Sequence, residues 1–79
     1  MRNTGDKQMT NWTDQLTAKQ VHSARKALSA ELRIADHVQS RSSDIDGWAW
    51  VEVFIGRRCH TVTLGPKGGI KSKISETVA

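Results

Sequence analysis

The stretch Trp48-Ala-Trp-Val-Glu-Val-Phe54 is where this sequence comes nearest to a working surface. Its alternation predicts a strand with Trp48, Trp50, Glu52 and Phe54 on one face and Ala49, Val51 and Val53 on the other, because successive side chains of a strand point to opposite sides. Both faces favour burial, and a chain of 79 residues cannot cover both. One is expected to be left for a partner. Trp and Phe set among Thr and Glu suit a protein contact, where large aromatics act as anchors. Base stacking is the competing chemistry, but nucleic-acid platforms mix aromatics with cations, and Glu52 between Trp50 and Phe54 repels phosphate.

A second candidate surface is cationic. The formal net charge is +4, with the excess on the predicted helix and the C-terminal stretch. Lys19, Lys26 and Arg33 belong to the helix, Arg57 and Arg58 to a hairpin tip, and Lys67, Lys71 and Lys73 to a basic tail. Together they would steer the protein toward an acidic protein surface, or neutralise phosphates with a steep dependence on salt. No helix-turn-helix, zinc-finger or basic-zipper pattern accompanies them.

Other chemistry is poorly supplied. Gly65-Pro-Lys-Gly-Gly-Ile-Lys71-Ser72 nearly spells a phosphate-binding loop, but Ile70 stands where the second glycine is required. Cys59 and His60 are adjacent on a strand and so diverge, while His22 and His37 fall on the polar side of the predicted helix, so no metal-ligand spacing results. Asp36 on the helix, Asp44 and Asp46 in a turn and Glu52 on the sheet form no acid and base pair. The reading is therefore no catalytic residue, no metal, no cofactor and no enzyme activity.

The elements that must position these residues are legible in outline. Leu16-Thr-Ala-Lys-Gln20-Val21 writes a helix start: Thr17 caps, Gln20 is its capping-box partner, and Leu16 and Val21 hold the staple positions. An earlier cap at Asn11 or Thr13 would fold Trp12 back on the core. One long helix is expected from about Ala18 to about Gln39, with Val21, Ala24, Ala27, Leu28, Leu32, Ile34, Ala35 and Val38 on its apolar side and Lys19, His22, Lys26, Arg33 and His37 opposite. Glu31 falls inside the apolar arc, so it should be paired with a cation or partly wet.

Gln39 to Gly47 has turn composition. The Trp48 strand then turns at Gly56 and returns as Cys59-His-Thr-Val-Thr-Leu64, with Val53 facing His60, Val51 facing Val62 and Ala49 facing Leu64. The expected fold is α+β: one long amphipathic helix packed on a small antiparallel hairpin sheet, with flexible termini. Residues 1–9 read as a disordered leader with Met9 as a second candidate start, 10–65 as the single domain, and 66–79 as a basic tail. Such a hairpin leaves two edges and an aromatic face open, so a third strand, a homodimer or a host complex must supply the rest.

Cys59 is the one cysteine, which excludes an intrachain disulfide and suits a reducing cytoplasm, that of a bacterial or phage-infected cell. No apolar run is long enough for a membrane span, and the N-terminus lacks the apolar core of a signal peptide. The expected function is a small non-enzymatic binding protein that occupies a surface of a larger protein or nucleoprotein complex, of the kind phages and mobile elements use as anti-CRISPR or anti-restriction inhibitors. The alternative is a small basic accessory or regulatory protein that binds DNA or RNA; a structural homodimer is the third reading.

Overall fold

The computed structural model describes residues 11–43 and 46–78. The expected leader at 1–9, the start-site question and Asp44 lie outside them. Asn11 caps a 3₁₀ turn, Trp12–Gln15, by accepting the Thr13 N–H on its side-chain oxygen at 3.1 Å. Helix α1, Ala18–Ala27, begins at the capping box read from the sequence: Thr17 Oγ1 accepts the Gln20 N–H at 3.1 Å and Gln20 Oε1 accepts the Thr17 N–H at 3.0 Å.

The long helix does not form. At Leu28 the backbone leaves helical geometry (φ −115°, ψ 25°), a short helix α2 covers Ser29–Arg33, and the chain then becomes strand β1, His37–Ser42. The physical cause is tertiary. Asp36 donates its N–H to Phe54 O at 2.8 Å and accepts the Gly56 N–H on its carboxylate at 2.6 Å, which commits the residues after Ile34 to the sheet.

The hairpin is likewise only the middle of a larger sheet. Strands β1, β2 (Ala49–Ile55), β3 (Arg58–Leu64) and β4 (Ile70–Thr77) form one four-stranded antiparallel sheet in sequential order. The central register is the one expected, with Ala49, Val51 and Val53 opposite Leu64, Val62 and His60, around the two-residue turn Gly56-Arg57. The C-terminal stretch is not a flexible tail: residues 70–77 pair along β3, with a bulge where Leu64 meets Ile70. These two added strands replace the expected fold of one long helix on a hairpin with a helix-backed meander.

The core lies between the helices and one sheet face. Ala24 and Leu28 are fully buried against Val51, Val53, Val62 and Leu64, and Trp12, Leu16, Leu32, Ala35, Val38 and Ile55 close its margins. Full burial of each Val or Leu contributes on the order of 1.5–3 kcal/mol. Buried Gln20 adds directional ties, donating from Nε2 to Gly47 O at 2.8 Å and to Gly65 O at 3.0 Å. One side chain thus clamps the start of α1 to both loops at that end of the sheet.

Glu31 is paired, as its position in the apolar arc requires. Lys73 of β4 donates to Glu31 Oε2 at 3.0 Å and to Ala27 O at 2.9 Å. The Lys73 bond first, and then a bond from its own main chain, hold the Glu31 carboxyl below the ordinary glutamate range. A carboxylate more acidic when folded contributes stability that is complete above its unfolded value and is lost as pH falls through its folded one. Glu31→Gln is expected to cost about 0.5–1 kcal/mol at neutral pH, because the pair is partly solvated. The difference from the unchanged protein should close in acid, which urea titrations on both sides of the glutamate range will measure.

Candidate protein-docking face

The face of the sheet opposite the helices is built by period-two alternation alone. β2 presents Trp50, Glu52 and Phe54 there, all half-buried, while Ala49, Val51 and Val53 turn to the core. The register brings Arg41 and Thr63 beside Trp50, Gln39 and Thr61 beside Glu52, and His37 and Cys59 beside Phe54. β4 completes the rows with Ser72, Ile74 and Glu76. Among the described residues no element crosses this face: Trp12 packs on the core side, and β4 widens the sheet without covering it.

The aromatics sit in a polar frame. Gln39 donates to Glu52 Oε1 at 2.8 Å, and Arg41 Nε lies 4.0 Å from the same oxygen. The Arg41 guanidinium is 5.9 Å from the Trp50 ring centre, within reach of a cation–π attraction. At the other end the His37 and Phe54 ring centres are 5.8 Å apart, and His37 Nε2 is 3.2 Å from Gln39 Oε1. These contacts hold Glu52 and Trp50 in place before any partner arrives, which lowers the ordering cost of binding.

Trp48 continues the ladder one residue before β2, its O accepting the Ser43 N–H at 2.7 Å, and the two-residue period assigns it to the side of Trp50. Its ring edge lies against the turn after β3, where a Cβ on Gly65 would stand 3.7 Å from it, and with Pro66, Gly69 and Ile70 it lines a shallow apolar dent. Cys59 is buried on this face with its Sγ 3.6 Å from Thr61 Oγ1. The aromatic set named from the sequence therefore does share one surface. His37, Gln39, Arg41 and Ile74 were not placed on it; the alternating segment His37-Val-Gln-Ser-Arg41 carried that signal but lay partly inside the helical pattern.

The cationic set does not converge in the same way. Arg57 and Arg58 mark the β2–β3 turn, and Lys19 lies at the opposite end, its backbone packed on Gly68 beside Lys67 and Lys71. Lys26 and Arg33 are exposed along the helices, and Lys73 is held by Glu31. Among the described residues of this set, Lys67 and Lys71 come together at the corner that Trp48 occupies.

Among the described residues no three His, Cys, Asp or Glu side chains gather where they could hold a metal ion. No described helix is long and apolar enough to cross a membrane. Fold and face together define a helix-backed antiparallel sheet that presents aromatics on its open side. No protein-family model, no curated protein and no solved structure matches this chain.

Proposed function

We propose that this protein is a non-enzymatic binding module whose open sheet face docks on a larger protein or nucleoprotein complex and acts by occupying that surface. The observation that supports this reading is the set Trp48, Trp50 and Phe54 on a face that no described element covers, with Glu52 fixed among them by Gln39 and Arg41. Trp, Phe and Arg around a held carboxylate match the composition of protein interfaces, in which a few aromatic anchors carry most of the affinity. The same carboxylate disfavours a phosphate backbone. Inhibition by occupancy, of the anti-CRISPR or anti-restriction kind, is the mode of action such a surface would serve.

A second reading rests on the corner formed by Trp48, Lys67 and Lys71, with Lys19 beside it. An aromatic ring flanked by ammonium groups suits a single-stranded nucleic acid, which combines base stacking with phosphate neutralisation.

One experiment separates the two. Affinity capture from the native host, with protein and nucleic acid recovered from the same sample, is run for the unchanged protein, for Trp50→Ser with Phe54→Ser, and for Lys67→Gln with Lys71→Gln. Two aromatic anchors at roughly 2 kcal/mol each imply that the aromatic variant weakens capture by about three orders of magnitude, while the lysine variant retains it. Undiminished capture of the partner by a folded aromatic variant overturns the docking reading. Recovery of nucleic acid that disappears with the lysine variant selects the second.

A further inference from the structure

We propose that β4 is a self-pairing edge: two copies of this chain join antiparallel along β4, about a two-fold axis through Ile74. The exposed edge is unequally distributed. On the far side, β1 is flanked by the 3₁₀ turn, where Ser40 Oγ donates to Trp12 O. Among the described residues nothing pairs with the outer side of β4, and all of its eight residues except Ser72 are exposed. An unprotected edge of this length is a template for another strand.

Its side chains are arranged for one particular partner. Of the four exposed large aliphatics among the described residues, Ile34, Ile70, Ile74 and Val78, three lie along this edge at intervals of four residues. The main-chain pattern fixes which groups point outward. Val78 donates its N–H to Arg57 O, so by the two-residue period Ser72, Ile74 and Glu76 turn their main-chain groups to β3, while Lys73, Ser75 and Thr77 turn theirs out. Pairing about Ile74 sets the two Ile74 side chains opposite each other at the close, non-hydrogen-bonded spacing. Lys73 and Ser75 of opposite copies then exchange main-chain bonds on either side of the axis.

Charge and apolar matching select this register over its neighbours. Centred on Ile74, Ser72 meets Glu76 and Lys73 meets Ser75 within the regular part of the strand, so no like charges oppose and Ile74 faces an aliphatic. Centring on Lys73 sets two ammonium groups face to face, centring on Ser72 puts Lys71 against Lys73, and centring on Ser75 leaves Ile74 against Glu76. Like charges directly opposite destabilise a strand pair, and apolar pairs stabilise it. Lysine is the usual guard of an open edge, but Lys73 is drawn to the helix side by Glu31 and Ala27 O. The dimer would be one continuous sheet of two four-stranded halves, with both sets of helices on one side and both aromatic faces on the other.

The test uses the full chain, purified, so that no other partner is present. Sedimentation at micromolar and near-millimolar concentration should show twice the chain mass at the higher one, and Ile74→Lys should return a folded monomer. In a Cys59→Ser background, Ile74→Cys should form an intermolecular disulfide on mild oxidation, because facing residues at this spacing meet disulfide geometry. Ser72→Cys should not, since it faces Glu76. A monomer at the higher concentration, a dimer that survives Ile74→Lys, or cross-linking of Ser72→Cys as readily as Ile74→Cys would each overturn the proposal.

Discussion

Gln20→Glu should unfold at a clearly lower urea concentration than the unchanged protein, although the two side chains match in size. Gln20 is 2% exposed and uses its amide nitrogen to donate to Gly47 O and Gly65 O while its oxygen accepts from Thr17 N–H. A carboxylate keeps the acceptor and loses both donors, then places its charge against two carbonyl oxygens. Each lost bond costs about 0.5–1.5 kcal/mol, and a buried oxygen left without a donor costs about 1–3 kcal/mol, so a loss of about 3 kcal/mol is expected. Gln20→Ala removes the two donated bonds and the Thr17 N–H acceptor as well, but adds no charge, and should also unfold at a lower urea concentration than the unchanged protein. Acid should recover part of the Gln20→Glu deficit by restoring one O–H donor. Equal midpoints for Gln20→Glu and the unchanged protein at neutral pH would show that the two loops are not held by this side chain.

Gly68→Ala is expected to cost a similar amount for a different reason. Gly68 has a φ of +90°, and a Cβ there would stand 2.8 Å from Lys19 Cβ and 3.0 Å from the Lys19 carbonyl. An L-residue loses roughly 1–2 kcal/mol in the left-handed region. Relieving an overlap with helix backbone adds roughly 1–3 kcal/mol. Gly56→Ala is the control, because Gly56 has a φ of +58° and an added Cβ meets nothing within 4 Å. It should show the conformational cost alone. Thermal or urea midpoints of the two variants compared side by side measure the contact term directly, and equal losses would remove the close approach of loop and helix.

The parts of this architecture that are written locally were readable, and the parts created by distant chain were not. Thr17 and Gln20 satisfy each other within one turn, so the helix start needs no tertiary information. Val51 opposite Val62 follows from period-two alternation and a tight turn at Gly56. Val38, by contrast, fits the apolar side of a helix and the inward face of a strand equally well. What decides between them is the bonding of Asp36 to Phe54 and Gly56, some twenty residues on, which no local pattern records.

The last strand was hidden for a related reason. Ile70-Lys-Ser-Lys-Ile-Ser-Glu-Thr has little apolar alternation, because an edge strand buries few side chains and depends on a neighbour's backbone for its ladder. The aromatic face followed from β2 alone. Its frame of His37, Gln39 and Arg41 did not, since those residues reach it only once β1 has formed.

The small size of Ala24 has a consequence for how the helix is seated. Fully buried at the middle of α1, its methyl group lets the helix axis sink close to the sheet, yet apolar contact has no preferred direction and leaves rotation about that axis weakly resisted. The resistance comes from two polar moorings on either side of it, Gln20 to the loop carbonyls and Lys73 to Ala27 O. Depth is therefore set by the side chain with the least bulk, and roll angle by hydrogen bonds at the helix's two ends.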